Sequence, residues 1–118
     1  MAFKMNHVHL KTPDPRKTAQ WYVDNLGAKI VSESATGGFR VDLLGVPLNV
    51  TKFIDDQTHH QNYGIEHIAI DTDDLPGTVR KLKASGARIL EERQQGGRRV
   101  CFFEGPEGVC LEVLEVRS

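Results

Sequence analysis

The chain is poor in aromatic residues, at 7% of its composition, has two cysteines in 118 residues, and carries a formal net charge of only −1. So small a net charge gives no bulk attraction to nucleic acid or to an anionic membrane. So few aromatic rings argue against a surface on which bases stack. Cys101 and Cys110 lie in apolar, strand-like runs. They either face each other across a hairpin or stay as free buried thiols, and a chain without a secretion signal favours free thiols. The opening Met1-Ala2-Phe3-Lys4-Met5-Asn6 has no apolar run long enough for a signal peptide or a membrane span. The expectation is a soluble cytoplasmic protein whose partner is a small molecule, not a nucleic acid or a membrane.

What the chain does have is an internal repeat. Asn6-His7-Val8-His9-Leu10 returns as Glu66-His67-Ile68-Ala69-Ile70. Gly27-Ala28-Lys29-Ile30-Val31 returns as Gly86-Ala87-Arg88-Ile89-Leu90. Gly37-Gly38 returns as Gly96-Gly97, with Val41 and Val100 at the same distance beyond. Leu48-Asn49-Val50 returns as Leu111-Glu112-Val113, with the added length assigned to a longer second hairpin loop. Each half of about 59 residues would be marginal alone, because small modules bury too little of their surface. Residues 1–118 therefore read as one domain: module one over 1–54, a polar linker over 55–63 and module two over 64–118.

Each module reads β-α-β-β-β. Residues 5–11 alternate, with Val8 and Leu10 on one face and His7, His9 and Lys11 on the other. Asp14-Pro15 is an N-cap followed by proline at the first helical position, and Gly27 is a natural helix stop. Trp21 and Tyr22 fall at helical spacing and read as core. Residues 28–33 form a strand, and Phe39–Leu44 and Leu48–Phe53 a hairpin joined through Gly45-Val46-Pro47. In the second half, residues 65–71 form a strand and Asp73 or Asp74 caps a helix that Gly86 ends. Residues 87–92, Arg99–Phe103 and Val109–Val116 supply three more strands, with Glu104-Gly105-Pro106-Glu107-Gly108 as a turn. The fold class is α+β: two tandem βαβββ modules forming a curved mixed sheet around a cavity, helices outside.

Alternation turns His7 and His67 away from the helices, and Leu48/Val50 and Leu111/Val113 turn Asn49 and Glu112 the same way. One histidine in a strand is more often structural than a ligand, and a lone Glu112 could simply guard a sheet edge. Polar residues at duplicate positions on one face are harder to explain by chance. Two imidazoles and a carboxylate suit a divalent transition metal such as Fe, Mn, Co, Ni or Zn, with Asn49 as a further oxygen donor. His9 shares the face of His7, where it either touches substrate, holds a ligand in place or merely packs. His59 and His60 read as surface residues of the linker. Arg98 and Arg99 follow the second glycine turn, where one could hold an anionic group of a substrate.

With these motifs, and with Trp21-Tyr22…Leu26-Gly27 and Gly105-Pro106-Glu107-Gly108…Leu111-Glu112, the whole chain resembles the vicinal oxygen chelate superfamily. That superfamily includes glyoxalase I, methylmalonyl-CoA epimerase, fosfomycin resistance enzymes, extradiol dioxygenases and bleomycin resistance proteins. The resemblance implies His7, His67 and Glu112 as ligands of one divalent metal per site. Asn49 stands where glyoxalase I has Glu or Gln. It is one methylene shorter, and either ligates directly or acts through water. Lys11 stands where glyoxalase I has an arginine that helps hold glutathione, while Phe53 departs from the polar residue expected there. The resemblance further implies a homodimer.

The activity it implies first is that of a glyoxalase-like lyase or isomerase, with Glu112 moving a proton α to a carbonyl. One alternative is an Fe(II)-type ring-cleaving dioxygenase. The other is a metal-free protein that sequesters a small molecule, as bleomycin resistance proteins do. Fosfomycin thiol transfer fits less well, because Glu92, Val100 and Phe102 stand where lysine and hydroxyl residues are expected. An epimerase would need a second base, for which Glu33 or Asp42 is available.

Overall fold

The computed structural model describes residues 2–116. Among these are eight strands and two α-helices in the order expected, β-α-β-β-β twice. They are β1 (Phe3–Lys11), α1 (Pro15–Leu26), β2 (Lys29–Glu33), β3 (Phe39–Leu43) and β4 (Val46–Thr51), then β5 (Gly64–Thr72), α2 (Leu75–Ala84), β6 (Arg88–Gln95), β7 (Arg98–Glu104) and β8 (Cys110–Glu115). No described helix is long and apolar enough to cross a membrane. The chain divides into two compact units, His7–Glu66 and a second made of Met1–Asn6 with His67–Ser118. The first residues of the chain thus belong with the second module: Ala2 and Asp73 exchange bonds, and Asn6 donates to Asp71 at 2.9 Å.

In the unit His7–Glu66 the strand order is β2-β3-β4-β1, with β1 parallel to β4. Leu10, Val41, Leu48 and Val50 line one face of this sheet, and Ala19 of α1 packs on them, flanked by Tyr22 and Val23. Trp21 is not core. It is 55% exposed, because the buried stripe of α1 runs through Pro15 and Ala19 and Trp21 lies off it. The β3–β4 turn is also shorter than expected. Val46 and Pro47 already belong to β4, and only Leu44 and Gly45 turn, both at positive φ. The linker closes on itself: the backbone of Ile54 exchanges two 2.8 Å bonds with the Gln61 amide, and Phe53 stacks on Tyr63.

The second unit repeats the plan as β5-β8-β7-β6, with β5 parallel to β8. Leu75 and Val79 of α2 pack on Cys101, Phe103 and Val113. The other face of the same strands carries Ala69, Val100, Phe102 and Leu114. Cys101 and Cys110 therefore sit in clusters on opposite faces, and both are free thiols.

Strand-to-helix geometry is duplicated more closely than the sequence suggested. Thr12 meets Thr18 at 2.7 Å and receives the Asp14 N–H, just as Thr72 meets Thr78 at 3.1 Å and receives the Asp74 N–H. The Asp14 carboxylate caps Lys17 N–H, and that of Asp74 caps Gly77 N–H at 3.0 Å. This decides the second N-cap in favour of Asp74. The repeat slips at β3 and β7, however. Arg40 pairs with Asn49 and Phe102 with Glu112, so Arg40 corresponds to Phe102 and the alignment of Val41 with Val100 does not hold. Most of the added length of the second half enters ahead of Phe102, not in the last hairpin loop.

Removing the cap with Asp74→Ala should cost about 1 kcal/mol in chemical denaturation. Asp73→Ala, on an exposed side chain outside the helix, should cost clearly less. Equal losses would contradict this assignment of the cap.

Candidate metal centre

Each unit turns one group of buried polar side chains to the sheet face opposite its helix. In the first, β1 presents His7 and His9, both buried, and β4 presents Asn49 and Thr51 beside them. His7 Nε2 and His9 Nδ1 lie 3.3 Å apart, and His9 Nε2 lies 2.7 Å from Thr51 Oγ1. One imidazole thus holds the other in place while a hydroxyl holds the second. Arg40 of β3 completes the row, donating from Nη1 to Asn49 Oδ1 at 2.8 Å.

In the second unit, β5 presents His67 and β8 presents Glu112, at 3% and 2% exposure. His67 Nε2 lies 3.2 Å from Glu112 Oε1. The edge of one ring meets the face of the other where His67 packs on Phe102, at 5.1 Å and 88°. Ala69, Phe102 and Leu114, all buried, surround the pair. A carboxylate so thoroughly stripped of water requires a compensating cation. An imidazole proton can supply one, and so can a divalent metal. Nitrogen and oxygen donors of this kind suit the borderline metals of the first transition row. The donor chemistry of both units therefore fits the implied metal.

The weaker candidates separate. Lys11 lies on the face of His7 and His9, 2% exposed, and donates to the Lys52 carbonyl at 3.2 Å. Arg98 shares the face of Val100 and Phe102 and lies 3.8 Å from Asp71. Arg99 is placed differently: it shares the parity of Cys101, hence the helix side, and is paired with Glu115 at 2.5 Å. That pair holds the Glu115 carboxyl below its ordinary range through the hydrogen bond from Arg99. His60 is exposed, as expected, but His59 is not. Its side chain is 6% exposed and lies 3.7 Å from Glu66, which also accepts from Gln57 at 3.2 Å.

Arg40, Thr51 and Phe102 escaped the sequence reading. The signal for Arg40 and Phe102 was their cross-strand register to Asn49 and Glu112, which the slipped repeat alignment concealed. Cys101, by contrast, takes no part in this chemistry. Burial, with help from the Glu92 carboxylate, pushes its thiol up to about 11, so it is neutral at physiological pH.

That shift has a measurable consequence. A thiol with a raised folded-state value contributes stability that is complete below its unfolded value of 9.0 and falls as pH climbs towards about 11. The urea midpoint of the protein should decline through that window, and Cys101→Ala should flatten the decline. An unchanged alkaline slope in the variant would count against it.

A model of the Glyoxalase/Bleomycin resistance protein/Dioxygenase superfamily matches residues 4–113. The chain is 28% identical to a lactoylglutathione lyase of Haemophilus influenzae, over 95% of this chain and 92% of that one. It is 27% identical to the metallothiol transferase FosB of Bacillus licheniformis, over 92% of this chain and 73% of that one. Methylmalonyl-CoA epimerase from Mycobacterium tuberculosis shares its fold, with a TM-score of 0.72 at 20% identity over 97% of this chain and 88% of that one.

Proposed function

Since the chain belongs to the Glyoxalase/Bleomycin resistance protein/Dioxygenase superfamily, we propose that it is a metal-dependent enzyme of glyoxalase type, acting on a small substrate in the cytoplasm. The observation that carries this reading is the buried His67–Glu112 pair, set among apolar side chains on the face away from α2. In the proposal His7, His67 and Glu112 hold one divalent metal. Asn49 stays outside its coordination shell, because Arg40 engages its amide oxygen.

Bound there, the metal would supply Lewis acidity to vicinal oxygens of the substrate. The chain's own residues then do the rest. The Glu112 carboxylate removes a proton from the carbon α to a carbonyl and returns it to the neighbouring carbon, which isomerises the substrate without net oxidation. Phe102, Ala69 and Leu114 keep water from that carboxylate, which strengthens it as a base. His9 fixes the ring of His7 through the 3.3 Å contact, and Thr51 fixes His9. The resemblance to a lactoylglutathione lyase supports a lyase over a ring-cleaving dioxygenase. The proposal includes a homodimer, which gel filtration tests directly.

Purified protein should retain stoichiometric divalent metal by plasma mass spectrometry. Glu112→Gln should lower turnover of the methylglyoxal–glutathione adduct by at least about 100-fold with the circular dichroism spectrum unchanged. Oxygen consumption with catechols would instead select the dioxygenase. A protein with no metal, and none taken up on titration, would select a metal-free binding protein.

A further inference from the structure

The two modules keep their polar positions on β1/β5 and β4/β8 but differ in every side chain beside them. His9 corresponds to Ala69, Thr51 to Leu114 and Arg40 to Phe102. One copy of the duplicated motif is therefore lined by polar groups and the other by apolar ones. A purely structural role would not require this asymmetry, since the same backbone register tolerates alanine, leucine and phenylalanine in the second copy.

Arg40 is the costliest of the three replacements. It is a half-buried guanidinium on the face that presents His7 and His9, in direct register with Asn49, which is itself in register with His9. The Asn49 amide accepts from Nη1 at 2.8 Å and so fixes the plane of the guanidinium. Arginine presents five N–H donors in that plane, a fork suited to both oxygens of a carboxylate. A permanent cation close to a metal-binding histidine pair also opposes a second cation there, and an anion between them relieves both.

We propose that Arg40 binds an anionic group of the substrate, oriented by Asn49. The substrate class is then a vicinal-oxygen compound with a further carboxylate beyond its chelating oxygens. Arg40 lies two strands from β1, roughly 10 Å between backbones, so the carboxylate stands away from the chelating head. This rests on the metal-site reading given above, and deepens it by naming the substrate class.

The test compares malate with lactate, which share an α-hydroxy acid head and differ in one carboxylate. Nickel-loaded protein should bind malate at least about 10-fold more tightly than lactate. Arg40→Gln should abolish that preference and leave nickel and lactate affinities unchanged, whereas Arg40→Lys should restore part of it. In metal-free protein, malate should shift the Arg40 Nε–H resonance. Loss of nickel binding with the malate-dependent shift intact would overturn the metal reading and leave this one standing. A wild-type protein without the preference or the shift, or an Arg40→Gln variant that keeps the preference, would overturn the role of Arg40.

Discussion

A carboxylate that has given up nearly all its water holds a negative charge only if positive charge is brought to it, and Glu112 is in that position. At 2% exposure it has Ala69, Phe102 and Leu114 around it and His67 Nε2 at 3.2 Å. Removing one partner of such a pair costs several kcal/mol, because the other is left as an uncompensated buried charge. The placement of β5 against β8, and of Phe102 against both, sets that pair. The helix-side core of the same strands, Cys101, Phe103 and Val113 under Leu75 and Val79, fixes the backbone from which it projects. Packing on one face thereby secures chemistry on the other.

The same economy runs through the first module. Leu10, Leu48 and Val50 face α1 while His9, Asn49 and Thr51 face away from it, so one strand serves both ends. Thr12 and Asp14, like Thr72 and Asp74, tie the end of each ligand-bearing strand to the start of its helix. A shift of either helix start would move the histidines with it. Duplication thus preserved the frame, and the neighbours of the polar positions were left to diverge into a polar and an apolar set.

Much of this was legible in the residues. Period-two alternation placed His7, His67 and Glu112 on the faces where the structure has them, and Asp14-Pro15 and Gly27 marked the ends of α1 correctly. What failed did so for identifiable reasons. Trp21 satisfied helical spacing, but the side of a helix that becomes buried is chosen by the sheet beneath it. Val46-Pro47 resembled a turn, yet Leu44 adopts positive φ and lets two residues suffice. Matched glycine pairs suggested an alignment of β3 with β7 that cross-strand hydrogen bonding does not follow, and Arg40 and Phe102 were hidden by that slip. His59 lies in a polar stretch, and only the closure of the linker brings it to Glu66.

The central claim is that the buried imidazoles and carboxylate of the two modules are ligands of one metal. X-ray absorption spectroscopy of nickel-loaded protein tests it most directly. The account predicts a shell of nitrogen and oxygen donors with outer-shell scattering from imidazole rings, reduced by His67→Ala, and no sulfur scatterer, since Cys101 is a neutral buried thiol on the other face. A sulfur-bound metal, or imidazole scattering untouched by His67→Ala, would contradict it.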